Sequence, residues 1–300
     1  MPEEGVALRD KQEFMTSEEV VGIAKIFVKQ GVDKIRITGG EPLIKKDIAN
    51  ILRQLSDLPV ELNLTTNGIL IDKYIELFRE IGMKQINISL DSLDENKFNS
   101  ISKREYFTRI LKNIQLVLKH DIDVKINVVL MRGINDNEII DFINWTKNQP
   151  ISVRFIEFMP FDGNQWDTEK VVSYADIMDQ VQSHFNFSSI LPIPGGPNDT
   201  SKNFQIKDHS GDFGIISSVT NPFCDGCNRL RLTADGKLKN CLFSSSETDL
   251  LSEYRVGRDI LPLIEASLAN KYKMRAGIDD FDNKNIALFE ANRNMTSIGG

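Results

Sequence analysis

Cysteine is nearly absent, with three residues in 300, and histidine is as rare. So few thiols, behind first residues that do not read as a secretory leader, exclude a disulfide framework and set the expectation of a reducing, cytoplasmic location. No apolar run is long enough to cross a bilayer. A surplus of positive charge is missing too: 36 basic against 43 acidic residues give a net charge of −7, which argues against a general nucleic-acid binder. Any anionic ligand must therefore be caught by locally placed Lys and Arg. Low-complexity tracts and short repeats are lacking, and 41% hydrophobic content is enough to bury the core of one or two domains.

The three cysteines that are present fall in one segment. Cys224 and Cys227 stand two residues apart in Phe-Cys-Asp-Gly-Cys-Asn, and Cys241 follows after 13 more. This is metal-site spacing with a ligand missing, since a structural zinc site takes a fourth Cys or His, and none of His120, His184 or His209 is nearby in sequence. A thioredoxin-like redox pair is expected after a strand at the start of a βαβ unit, whereas this pair follows Asn221-Pro222 late in the chain. Zinc with an open position stays compatible with the spacing. Three thiolates and one open position are also what an iron–sulfur cluster needs in order to bind something other than protein.

Upstream, five short runs rich in β-branched residues begin near Lys34, Glu61, Gln85, Val124 and Ile151. Helical patterns cover Lys46–Leu55, Ile71–Ile81 and Asp136–Lys147, and a first helix over Ser17–Gln30 opens on a capping box of Thr16 and Glu19. Strand and helix recurring every 24 to 39 residues predict a parallel sheet. Its strands alternate apolar and polar residues, as in Ile35, Arg36, Ile37 or Val124, Lys125, Ile126, instead of reading as continuous apolar runs. The expected geometry is an α/β barrel or half-barrel with a polar lumen into which Arg36, Thr65, Ser89, Lys125 and Arg154 point.

Gly39-Gly40-Glu41-Pro42, Thr65-Thr66-Asn67-Gly68 and Ser89-Leu90-Asp91 end three successive strands, on the face where barrel active sites lie. With Arg36-Ile-Thr-Gly-Gly-Glu-Pro, Arg154-Phe-Ile-Glu-Phe-Met and the cysteine segment carrying Arg229 and Arg231, these motifs resemble the GTP 3′,8-cyclase family of molybdenum-cofactor biosynthesis. That family belongs to the radical S-adenosylmethionine superfamily. The resemblance implies an incomplete (β/α)6 TIM-like barrel over residues 1–160 and a C-terminal α+β iron–sulfur region over 161–300 that closes its open side. Gly39, Gly40, Glu41, Ser89 and Met159 fall on S-adenosylmethionine contacts. Lys34, Arg36, Thr65, Lys125, Arg154, Arg229, Leu230 and Arg231 fall on GTP contacts, and Cys224, Cys227 and Cys241 on the ligands of a [4Fe–4S] cluster whose open iron binds guanine. The Gly299-Gly300 tail matches one that enters the active site.

Members of the family carry a second cluster on a CxxxCxxC motif, followed by a Met-Pro-like segment, and this sequence opens at Met1-Pro2. The expectation is therefore a chain truncated at its N-terminus that holds one cluster and generates no radical by itself, or else a noncatalytic single-cluster GTP-binding protein. The resemblance further implies a homodimer and a downstream partner, cyclic pyranopterin monophosphate synthase, with neither nucleic acid nor membrane involved.

Overall fold

The computed structural model describes residues 10–278, 281 and 292–298. Its centre is one eight-stranded sheet. Five parallel strands come first: β1 (Lys34–Ile37), β2 (Glu61–Thr66), β3 (Gln85–Ser89), β4 (Asp123–Leu130) and β5 (Ile151–Glu157). Three later strands follow, β6 (Ile190–Ile193), β7 (Lys202–Ile206) and β8 (Asp212–Ile216). The spatial order is β1-β2-β3-β4-β5-β8-β7-β6, with β8 parallel to β5 and the last two strands antiparallel. The expected division near residue 160 thus falls within one continuous sheet.

The helices α1 (Ser17–Lys29), α2 (Ile48–Ser56), α3 (Ile71–Glu80), α4 (Glu95–Ser102), α5 (Phe107–Lys119), α6 (Ile139–Trp145) and α7 (Tyr174–His184) precede or connect the strands. The fold is an α/β, incomplete TIM-like barrel. Along β4 and β5 fully buried residues alternate with half-buried ones. Val124, Ile126, Val128, Val153 and Phe155 pack with Ile110 and Ile114 of α5 and Phe142 and Ile143 of α6. Each such side chain contributes roughly 1.5–3 kcal/mol on burial, which fixes the strand register and so turns the polar residues to the opposite face.

At α1, Thr16 accepts from the Glu19 N–H and Glu19 returns a bond to the Thr16 N–H, closing the anticipated capping box. Ile23 on this helix packs with Leu238, Leu250, Ile260 and Ile264 in a second cluster. The Glu19 carboxylate also takes both arms of the Arg255 guanidinium, at 2.7 and 3.0 Å, so α1 joins the barrel to the C-terminal region.

That region holds a small antiparallel sheet of β9 (Arg231–Leu232), β10 (Lys237–Lys239) and β11 (Thr248–Asp249), then α8 (Leu251–Arg255) and α9 (Leu261–Ala269). A buried polar network sits beside it. The Lys239 ammonium donates to Asn292 Oδ1 at 2.8 Å and to the Ser244 carbonyl, with Glu247 at 3.6 Å. Arg293 donates to Asp235 at 2.9 Å and also bonds Glu247. Asn292 in turn donates to the Leu242 carbonyl at 2.9 Å, tying the chain near its C-terminus to the residue after Cys241. Among the described residues no helix is long and apolar enough to cross a membrane.

Candidate functional site

Strand register assembles the lumen in rows. Thr65 pairs with Asn87, Asn87 with Lys125, Lys125 with Ser152 and Ser152 with Asp212, so five polar residues from five strands form one layer. The next layer is Ser89, Asn127, Arg154 and Gly214. Arg36 pairs with Asn63 near the sheet edge and keeps an exposed side chain. Lys34 lies on the same edge in a solvent-exposed ion pair with Glu61 at 2.9 Å.

Positive charge accumulates in this chamber. Burial and then the Arg154 and Arg36 guanidiniums push Lys125 down to about 8. Burial and Arg36 likewise lower Arg154 to about 10, partly opposed by Asp212 and Asp199. Arg231 is lowered to about 10 by burial and by Arg229 and Arg36, although its side chain keeps some exposure. The strands β1, β4 and β5 and the segment after Cys227 thus aim cations at a common space. Asn63 Oδ1, Asn127 Oδ1 and Arg154 Nε are buried there without a hydrogen-bond partner. Buried polar atoms are ordinarily satisfied; the unmet Arg154 Nε donor beside repelling cations favours an anionic group, while the two amide oxygens can only accept from a donor.

The rim is shaped by backbone. Gly39 holds φ +119, a conformation that disfavours any residue with a Cβ, at the turn after β1. The Glu41 carboxylate accepts from Leu43 N–H at 3.0 Å, Thr66 Oγ1 at 2.8 Å and Asn67 N–H at 2.7 Å. It clasps the β1 and β2 turns together. Ser89 is exposed and Met159 half-buried at the ends of their strands. Beyond β3, Asp91 accepts the Val129 N–H at 2.8 Å, and burial pushes its carboxyl up to about 6.

The cysteine loop is fastened to the same rim. Glu157, the last residue of β5 and wholly buried, accepts from the N–H groups of Val219 (2.7 Å), Thr220 (2.9 Å) and Tyr174 (3.2 Å) and from the Thr220 hydroxyl. This fixes the segment that enters Cys224–Cys227. Gly226 is needed inside it, because a Cβ there would stand 2.1 Å from the Pro197 carbonyl oxygen. The three cysteines are free and half-buried. Burial acts to raise the Cys227 thiol, but hydrogen bonds from Arg229 and the charges of Arg229 and Lys271 outweigh it and the thiol is lowered. Cys241 is raised, by burial and by Cys224 and Cys227 close to it. Among the described residues no three His, Cys, Asp or Glu side chains converge on a point that would hold a single metal ion.

Comparison with known proteins assigns this arrangement to a family. The Radical SAM superfamily model matches residues 4–146, and the Molybdenum Cofactor Synthesis C model matches residues 151–276. A mitochondrial GTP 3′,8-cyclase of Arabidopsis thaliana is 45% identical over 306 residues, covering 100% of this chain and 76% of the relative. A GTP 3′,8-cyclase of Alkaliphilus oremlandii is 36% identical and covers 100% and 92%. The chain belongs to the GTP 3′,8-cyclase family. Molybdenum cofactor biosynthesis protein 1 of Homo sapiens is 40% identical over 97% of this chain, which spans only 47% of that longer protein. The fold is shared with Streptococcus suis SuiB bound to S-adenosylmethionine, with a TM-score of 0.57, 14% identity and coverage of 85% of this chain and 61% of that one.

Within this cyclase family chain, β1 to β5 gather Arg36, Thr65, Lys125 and Arg154 on the lumen face with Lys34 at the edge, and Arg229 and Arg231 approach from the cysteine segment, while Leu230 between them packs with Ile23, Leu238 and Ile264. Gly299 and Gly300 lie outside the described residues. Sequence reasoning missed Asn63, Asn87, Asn127, Ser152 and Asp212, although all but Asp212 occupy alternate positions of strands already recognised.

Proposed function

We propose that this chain serves the cyclisation of GTP to (8S)-3′,8-cyclo-7,8-dihydroguanosine 5′-triphosphate, the first step of molybdenum-cofactor biosynthesis, and that its three cysteines hold one cluster, so that a second, S-adenosylmethionine-cleaving cluster must be supplied to it for turnover. The observation that carries the reading is the cationic lumen of Arg36, Lys125, Arg154, Arg229 and Arg231 in a protein of net charge −7. Cations repelling one another in a half-buried chamber are stabilised by a triphosphate, and guanidinium forks match its oxygens. Arg36, Lys125 and Arg154 hold the phosphates from one wall, with Lys34 at the edge, and Thr65 offers a hydroxyl to the nucleotide. Arg229 and Arg231 hold it from the cysteine side, with Leu230 between them contributing only its backbone, since its side chain packs with Ile23 and Leu238. Gly39 and Gly40 leave room for S-adenosylmethionine at the rim, with Ser89 and Met159 beside it.

Cys224, Cys227 and Cys241 hold a [4Fe–4S] cluster. Three thiols with neither a fourth Cys nor a His beside them in sequence leave one coordination position open, as a cluster that binds its ligand through iron requires. When bound, the cluster would supply an open iron to guanine; the hydrogen-abstracting chemistry of S-adenosylmethionine would need one electron from a second cluster, for which these three cysteines leave no ligands. We assign the radical half to residues 1–160 and the GTP and cluster half to 161–300, acting as a homodimer that passes its product to cyclic pyranopterin monophosphate synthase. After anaerobic reconstitution the chain is expected to contain about four iron atoms, one cluster on its three cysteines. Iron near eight, or stoichiometric zinc without a visible charge-transfer band, rejects the cluster assignment.

Lys125 gives the site a pH dependence. Its ammonium loses its proton near pH 8 instead of 10.5 in the free protein, and a triphosphate binds the protonated form. GTP affinity should therefore fall as pH rises through 8, with proton uptake on binding visible as buffer-dependent enthalpy in calorimetry. Lys125→Arg should flatten the profile, and a wild-type affinity constant from pH 7 to 9 would remove Lys125 from the phosphate site. For stability the sign is opposite: between about 8 and 10.5 the unfolded chain binds more protons than the folded one, so this group makes stability rise with pH.

The cysteine count, three for one cluster, favours a second reading as a noncatalytic single-cluster GTP-binding protein. Both readings require GTP binding and they part at turnover. Mass-spectrometric detection of the cyclised product with dithionite and S-adenosylmethionine, in a version of the chain given a CxxxCxxC segment ahead of Met1, separates them.

A further inference from the structure

Lys271 follows α9 by two residues and reaches back to the cysteine loop. Its Nζ lies 3.1 Å from the carbonyl oxygens of both Cys227 and Arg229 and 3.6 Å from Cys227 Sγ. From a second direction Arg229 Nη2 approaches the same sulfur at 3.4 Å, its guanidinium held over the Phe223 ring at 4.8 Å. Two cations therefore converge on one thiol. The Lys271 side chain is half-buried, so water screens its charge less than at an open surface.

We propose that Lys271 is a positioning and potential-setting residue for the iron–sulfur cluster, clamping the loop through the Cys227 and Arg229 carbonyls and placing a positive charge beside the ligating sulfur. The inference rests on the cluster reading above. Hydrogen bonds and net charge at the sulfurs are among the groups' main controls of cluster potential. Reduction adds one electron to the cluster with no bond made or broken and no proton moved, so the cluster becomes more negative by one charge. A neighbouring ammonium stabilises that reduced state more than the oxidised one. The wild-type potential is thus higher than it would be without Lys271, and the cluster is easier to reduce.

The test uses the full chain, reconstituted anaerobically as wild type, Lys271→Met, Lys271→Gln and Lys271→Arg. Each is assayed for iron and titrated with dithionite while the reduced cluster is followed by electron paramagnetic resonance. The expected result is wild-type iron content in all four, a shift to more negative potential in the methionine and glutamine variants, and restoration of most of that shift in the arginine variant. An unchanged potential in a loaded neutral variant overturns the proposal, as does an arginine variant shifted as far as methionine. Loss of iron from both neutral variants, with arginine still loaded, leaves Lys271 as an assembly clamp and overturns its effect on potential. A wild type that takes up no cluster refutes the cluster reading itself, a different result from any of these.

Discussion

Arg154→Ala is expected to weaken GTP binding by about 1.5–3 kcal/mol, roughly 10- to 160-fold, without making the apo protein less stable. The two effects have opposite physical origins. In the free chamber Arg154 Nε has no partner, burial and Arg36 work against its charge, and truncation relieves both. With a triphosphate bound, the same guanidinium donates charge-assisted bonds that no neighbour can replace in that geometry. Asp212, the acid opposite, keeps its bond from the Ser152 hydroxyl at 2.6 Å and so is not orphaned. Calorimetry with GTP, with guanosine as the phosphate-free control, and urea midpoints on the same protein make the check. Equal GTP affinity sinks the assignment, and a midpoint that falls along with affinity makes Arg154 a structural residue.

The largest stability loss is expected at Lys239→Ala, at about 3–5 kcal/mol, the range for removing one partner of a buried ionic group. Lys239 is 1% exposed, and its ammonium is the hub that satisfies the Asn292 amide oxygen and the Ser244 carbonyl next to Glu247. Removal strands two acceptors and leaves Glu247 to Arg293 alone. Burial acts to lower the Lys239 pKa, with Glu247 opposing it, so this ion is held only as long as its partners stay in place. Because Asn292 also bonds Leu242, the loss should loosen Cys241 and lower iron retention as well. A change in the urea midpoint equivalent to less than about 1 kcal/mol would class the network with weak surface pairs.

Much of this fold was legible because one face of each strand is buried. Apolar residues at every second position of β4 and β5 fix their register, and with it the lumen direction of Lys125 and Arg154. Helix ends were less legible: α6 begins at Ile139 because Asp136–Glu138 make a tighter turn first, and α2 begins at Ile48. The two helices after β3 were not anticipated, and α5 starts at Phe107 behind Tyr106, an N-cap with no side-chain bond to announce it. In the site, Asp212 could not be read locally. It faces Lys125 and Arg154 only because β8 pairs with β5 across more than 50 residues, and no local pattern encodes that pairing. Nothing local in the sequence shows that the carboxylates of Glu41 and Glu157 also accept from backbone N–H groups of distant segments, Asn67 for the one and Val219 and Thr220 for the other.

The continuity of the sheet past residue 160 bears on how the chain avoids aggregation. A fragment ending there would leave β5 as a bare edge, with Val153 and Phe155 stripped of β8 and its Phe213, a row of unpaired amides beside an apolar face. Such an edge is a template for intermolecular pairing. During synthesis β5 emerges well before β8 does, so the nascent barrel passes through this exposed state each time it is made. The antiparallel addition of β7 and β6, with Pro192 in the outermost strand, moves the final edge to a strand poorly suited to recruit another.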